Sequence, residues 1–168
     1  MTGGPENNVR VGIVVGSESD LEVMNRCGAV LGEYGIGWEI GVMSAHRAPD
    51  AVHTYSSQAR HRGLQVLIAG AGGAAHLPGV VASRTTLPVI GVPLPSTALQ
   101  GMDSLLSIVQ MPAGIPVATV AIGEPGARNA AHLAAEIIAV GDARVAEAVD
   151  RFRAGMRERV RPPEVHTG

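Results

Sequence analysis

Short, almost continuously apolar runs recur along this chain between stretches of helical periodicity. That alternation restricts the fold more than any other feature. Val9 to Val15, Trp38 to Met43, Gln65 to Ala69, Pro88 to Val92 and Val117 to Ala121 read as strands. They are apolar without the every-second-residue pattern of a half-exposed strand, so both of their faces are buried. Helical stretches fall between them: the Gly16–Asp20 loop to about Gly32, Asp50 to about Arg62 with Asp50 as N-cap, His76 to Ser83, Met102 to Gln110, Arg128 to Val140 and Ala143 to Val160. Strand–helix alternation with doubly buried strands predicts a parallel sheet covered on both sides. The expected architecture is a single-domain, doubly wound, five-stranded α/β sheet of flavodoxin-like type, order 2-1-3-4-5, with an extra C-terminal helix. The domain is expected to span residues 9–160, between flexible tails at 1–8 and 161–168.

The side chains available narrow the chemistry. Aromatics are 2% of the chain, namely Tyr34, Trp38, Tyr55 and Phe152, so the core must be built from Ala, Val, Leu and Ile with glycine allowing close approach. All 13 basic residues are arginine, which excludes a Schiff-base lysine, a P-loop lysine and a pyridoxal-phosphate anchor. A net charge of -2 and the scarcity of aromatics give no reason to expect nucleic-acid binding. No apolar run reaches the ~18 residues of a membrane span, so no membrane partner is expected. The polar start lacks the layout of a signal peptide. Cys27 is the only cysteine, which fits a reducing cytoplasm and precludes an internal disulfide or a cysteine metal cluster.

Ligands of doubly wound sheets bind beyond the C-terminal strand ends, and the loops at the first three of those ends are unusual. Gly16-Ser17-Glu18-Ser19-Asp20 offers backbone amides, two hydroxyls and a helix start, which suit a phosphate. Plain N-capping by Ser17 or Ser19 is the ordinary alternative. Ser44-Ala45-His46-Arg47-Ala48-Pro49 pairs a guanidinium fork for phosphate oxygens with an imidazole, the side chain that exchanges protons near neutrality. An ordinary polar surface loop would read the same way. Gly70-Ala71-Gly72-Gly73-Ala74-Ala75-His76 matches the dinucleotide pattern G-x-G-x-x-A. No Asp or Glu occurs between Asp50 and Asp103, however, so a nicotinamide ribose would lack its carboxylate. The glycines read instead as room for a ligand against bare backbone, or as a tight turn. His76 is either a site residue or the start of a short helix.

Other templates fail. The chain has no G-x-S-x-G elbow and no H-E-x-x-H. His46, His53 and His61 could share a helix face, but no recognised metal motif runs through them. On the last helix Val145, Val149, Phe152, Met156 and Val160 form one apolar stripe, suited equally to its own domain or to a neighbouring subunit.

Taken in order, these loops resemble the N5-carboxyaminoimidazole ribonucleotide mutase family, in its bacterial form. The resemblance is carried by Gly16–Asp20, Ser44–Arg47, and Ala69 to Gly79 with its Ala74-Ala75-His76-Leu77-Pro78-Gly79 ending. Gly101-Met102-Asp103-Ser104-Leu105-Leu106-Ser107-Ile108-Val109-Gln110-Met111-Pro112 and Asn129-Ala130-Ala131 add to it. Each loop alone is weak; together, over about residues 9–140, they are specific. The resemblance implies a cytoplasmic isomerase of de novo purine biosynthesis that moves a carboxylate from N5 to C4 of an aminoimidazole ribonucleotide through CO2. It implies no ATP, metal or organic cofactor. It also implies that Ser17 and Arg47 hold the phosphate, Asp20 a ribose hydroxyl, and His46 the travelling proton. Ser44, Ala71 and Gly72 would line the pocket, with His76 and Leu77 near the base or the departing carboxyl group. The family is homo-octameric, with sites between subunits. A direct carboxylase using CO2 and a non-catalytic nucleotide-binding module are the rival readings.

Overall fold

The computed structural model describes residues 9–161. The expected tail at 1–8, and all but the first residue of the expected tail at 161–168, lie outside the described residues. Five parallel strands, β1 (Val9–Val15), β2 (Gly37–Val42), β3 (Val66–Gly72), β4 (Val89–Leu94) and β5 (Ala118–Thr119), form one sheet of order β2-β1-β3-β4-β5. The doubly wound expectation and its strand order therefore hold. The helices are α1 (Leu21–Glu33), α2 (Pro49–Gln58), α3 (Leu77–Ala82), α4 (Met102–Val109), α5 (Glu124–Ala139) and α6 (Ala143–Glu158), with a single 3-10 turn at Glu18–Asp20 before α1.

The pleat of each strand divides the core. On β1, Val11, Ile13 and Val15 pack with α1, α5 and α6, whereas Val14 packs with α2, α3 and α4. Small residues bring the first layer close. α5 buries Ala127, Ala130, Ala131, Ala134 and Ala135 completely, and a Cβ added at Gly70 would fall 2.8 Å from Met24 Sδ. The few aromatics serve as plugs at the edges. Tyr34 and Phe152 flank His132 with ring centroids 5.7 and 4.6 Å from it, and Tyr34 Oη lies 2.7 Å from His132 Nδ1. This cluster fastens α6 to α1 and α5. Asp142 holds the start of the same helix: it accepts from the amides of Arg144 and Val145 and pairs with Arg10 at 2.7 Å.

Several boundaries differ from the sequence expectation, for local reasons. β3 runs three residues past Ala69 because Ala71 and Gly72 still pair with Pro93 and Leu94. β5 is two residues long rather than five: Pro93 on the facing strand has no N–H, so the ladder stops after Gly91↔Thr119. α2 starts at Pro49 with Ala48 as N-cap, which places Asp50 inside the first turn, where the helix dipole favours its charge. α2 also ends at Gln58, and turns carry the chain to Gly63 (φ 90°). α5 begins four residues before Arg128. Its first turn tolerates Pro125 because amides there have no partner to lose. The stripe on α6 divides: Val145 and Val149 are buried in this chain, whereas Met156 and Val160 are 46% and 73% exposed.

Cys27 lies fully buried on α1, and burial pushes its thiol up to about 12. A thiol held protonated and out of solvent is a poor nucleophile. The native protein is expected to resist a thiol-specific chromogenic reagent at pH 8. One equivalent per chain should react once guanidinium chloride unfolds it; rapid labelling without denaturant would contradict this packing.

Candidate active site

The strand order reverses at β1, whose neighbours are β2 and β3, and the loops leaving these three strands meet above the sheet's C-terminal edge. The loop after β1 is tied down by Ser17, whose Oγ accepts from the Ser19 amide at 3.4 Å and lies 3.0 Å from Ser19 Oγ. The N-capping reading is thus realised, and the same residues still face the cavity. In the loop after β2, Ser44 Oγ accepts from the amides of His46 and Arg47, both at 3.3 Å. It shapes a turn that presents the two side chains. Arg47 Nη2 donates to the Gly16 carbonyl at 2.8 Å and so joins the second loop to the first. After β3, Gly73 and Ala75 adopt left-handed conformations (φ 60° and 43°), and the turn delivers His76 as the residue capping α3.

The result is a cavity of about 220 Å³, lined by Ser17, Asp20, Ser44, His46, Ala71, Gly72, His76 and Leu77 among others. Eight of the nine site residues singled out in the sequence therefore share one pocket. Arg47 opens onto the adjoining groove, which shares Gly16, Ser17 and Ser44 with it. Burial pushes the Asp20 carboxyl up, against hydrogen bonds from Ser19 and Ser17 that favour its charge. His46, His53 and His61 do not come together, and among the described residues no group of three or more His, Cys, Asp or Glu is placed to hold a metal ion.

His46 and His76, thirty positions apart, meet at the mouth of this cavity. His46 Nε2 lies 2.7 Å from His76 Nδ1, with the rings perpendicular and their centroids 4.9 Å apart. One ring must donate and the other accept, so the pair holds a proton between two bases, with one further nitrogen on each ring for a ligand. Both rings remain exposed to solvent in the single chain. Beyond them lies a second hollow, walled by Gly79, Val80, Ser83 and Met111.

The sequence reading missed Ser96, which lines the cavity from the loop after β4. The available signal was its place directly after a central strand, at the same sheet edge as the other loops. A Cβ at Gly72 would run into Ser96 Oγ and lie 2.6 Å from Ser96 Cβ. Rotating the hydroxyl cannot relieve the second contact. Gly72→Ala is therefore expected to weaken binding of a small ligand in this cavity by roughly tenfold, about 1.4 kcal/mol, and adding Ser96→Gly to restore most of it. Isothermal titration of both variants would decide the matter.

The fold and the site at the C-terminal edge of its parallel sheet define an α/β enzyme acting on a small molecule. The family model described as AIR carboxylase matches residues 10–159, and the chain belongs to that family. It is 55% identical over 150 residues to the N5-carboxyaminoimidazole ribonucleotide mutase of Bacillus subtilis, covering 89% of this chain and 93% of that one. The mutase of the same name from Pyrococcus horikoshii is 54% identical over 150 residues, with coverage of 89% and 84%. Among solved structures, Treponema denticola PurE superposes with a TM-score of 0.78 at 29% identity, covering 88% of this chain and 91% of that one.

Proposed function

We propose that residues 9–160 form an N5-carboxyaminoimidazole ribonucleotide mutase, which moves the carboxylate from N5 to C4 of the imidazole in de novo purine biosynthesis. The observation that carries the mechanism is the His46–His76 pair, 2.7 Å across, beside a glycine floor and a hydroxyl-rich anion loop. In this reading Ser17 and the amides of its loop take the phosphate, joined by Arg47 once it turns from the Gly16 carbonyl, and Asp20 takes a ribose hydroxyl. His46 gives a proton to N5, the N5–carboxyl bond breaks, and CO2 and the neutral amine are left in the pocket. Carbon C4 then attacks CO2, a carbon–carbon bond forms, and the C4 proton returns to His46. One imidazole serves both steps, and protons balance over the cycle. His76 and Leu77 stand beside the migrating group, over Ser44, Ala71 and Gly72. The scheme needs no ATP, metal or organic cofactor.

CO2 must not escape between the two steps, so the pocket must be sealed from water. Both imidazoles are exposed in one chain, and apolar surface is left uncovered nearby: on α4, Met102, Leu106 and Val109 are 51%, 52% and 49% exposed. Packing of subunits into a cytoplasmic homo-octamer would cover that surface and close the site. No helix among the described residues is long and apolar enough to cross a membrane.

The mutase name of relatives 54–55% identical favours the carboxyl shift over direct carboxylation. The deciding assay supplies N5-carboxyaminoimidazole ribonucleotide in CO2-depleted buffer, or aminoimidazole ribonucleotide with bicarbonate, and follows the C4-carboxylated product by absorbance. Conversion of the first substrate well above the second is expected. Turnover only of the second would establish the carboxylase, and binding without conversion a nucleotide-binding module.

A further inference from the structure

Three polar residues on α4 have their partners at the end of β4 and in the loops after β3 and β4, although none of the three lines the main cavity. Asp103 Oδ2 accepts from Thr97 Oγ1 at 2.7 Å. Ser104, with no exposed surface, donates its hydroxyl to the Leu94 carbonyl at 2.8 Å. One turn later Ser107 donates to the Ala74 carbonyl in the loop after β3. Leu94 and Thr97 bracket Ser96, the side chain that presses on Gly72. α4 thus fixes both ends of the short segment that closes the glycine floor.

Backbone bonds brace that segment, from the Ser96 amide to the Leu94 carbonyl and from the Gln100 amide to the Thr97 carbonyl, both at 3.1 Å, but its exit is strained. Gln100 and Gly101, which lead it into α4, are both left-handed, at φ 54° and 86°. Gln100 is a side-chain-bearing residue in a region that L-residues disfavour. Gly101 is confined as well: a Cβ there would lie 2.6 Å from Ile122 Cγ2. Thr97 is the junction, since its Oγ1 also accepts from the Leu99 amide at 3.2 Å. The Thr97 hydroxyl thus accepts from the Leu99 amide and donates its own proton to Asp103.

We infer that Asp103 is a positioning residue: acting through Thr97, it holds Pro95–Thr97 at the height where Ser96 closes the floor under the ligand, and so sets affinity for the ribonucleotide. This rests on the mutase reading for the identity of the ligand. The competing account is that Asp103 only places a negative charge in the first turn of α4, as acidic residues commonly do. The two separate experimentally, because a helix-end charge acts on stability and does not need Thr97.

The test titrates aminoimidazole ribonucleotide calorimetrically into wild type, Thr97→Val, Asp103→Ala, the double variant and Asp103→Asn, with thermal midpoints measured in parallel. Loss of a hydrogen bond to a charged group is expected to weaken binding roughly tenfold in each of Thr97→Val and Asp103→Ala. The double variant should bind no worse than the weaker single variant, because both substitutions break one link. Asp103→Asn keeps an acceptor for Thr97 and should bind within about twofold of wild type. Wild-type affinity in Thr97→Val, or losses that multiply in the double variant, would overturn the inference. Should Asp103→Ala fail to fold, Thr97→Val and Asp103→Asn still decide it. A wild type that binds the nucleotide without converting its carboxylated form would count against the mutase reading alone.

Discussion

Replacing His46 by Asn is expected to lower kcat by about a thousandfold or more, within the range that positioned acid–base groups supply, while ribonucleotide binding changes by less than about threefold. The two expectations have separate structural origins. The loop that carries His46 is shaped by Ser44 Oγ accepting from the amides at 46 and 47, contacts that do not involve the imidazole. Asn at this position leaves that turn, Arg47 and the loop after β1 as they are. It also keeps a donor and an acceptor for His76. What it cannot do is gain and lose a proton near neutral pH. An interaction made only in the transition state lowers kcat and kcat/KM together, and that pattern is expected. His76→Asn should cost less, because in the proposed mechanism His76 contacts the proton carrier without being it. Steady-state kinetics with calorimetric binding would measure both. Near-normal turnover in the His46 variant would falsify the proton-carrier role.

The doubly wound sheet was legible because its central strands β1, β3 and β4 are apolar on both faces; the edge strands β2 and β5, also expected to be buried on both sides, are only partly buried. Val11, Ile13 and Val15 enter one core layer and Val14 the other, as continuous runs require. The edge strand β5 was read too long because its length depends on Pro93 of the neighbouring strand, and pairing partners are not adjacent in sequence. The site was legible loop by loop: each loop follows a strand and concentrates glycine, hydroxyls or ionisable groups. The joints between the loops were not. That Arg47 bonds to the Gly16 carbonyl and His46 to His76 depends on how three loops lean together over a twisted sheet. Ser96 escaped because Pro95-Ser96-Thr97 has no ionisable group to mark it. Its importance comes from the bare backbone of Gly72 facing it.

Gly126→Ala is expected to be the most destabilising single-methyl change on the α5 side of the sheet. A Cβ at this position would fall on the Ala121 carbonyl oxygen, with the carbonyl carbon 2.6 Å away. Both atoms are backbone, so no side-chain rotation relieves the overlap. Either α5 must back away from the sheet or the segment after β5 must move. The first choice opens the layer in which Ala127, Ala130 and Ala131 pack with no exposed surface. The second disturbs Gly123, whose amide donates to the Pro93 carbonyl at 2.8 Å and carries the chain from β5 into α5. Overpacking a tight core commonly costs up to about 3 kcal/mol, and a backbone clash belongs at that upper end. For a chain of this length that is a fall of roughly 6–12 °C in Tm. Gly155→Ala is the matched control. It adds the same methyl within α6, where a Cβ would meet nothing within 4 Å. There the substitution improves helix propensity by up to about 1 kcal/mol, so its Tm should rise or hold. Equal Tm values for the two variants, measured by differential scanning calorimetry, would mean that α5 does not sit against Ala121 as described. A fall confined to Gly126→Ala would place the start of α5 in tight contact with the segment after β5, as described.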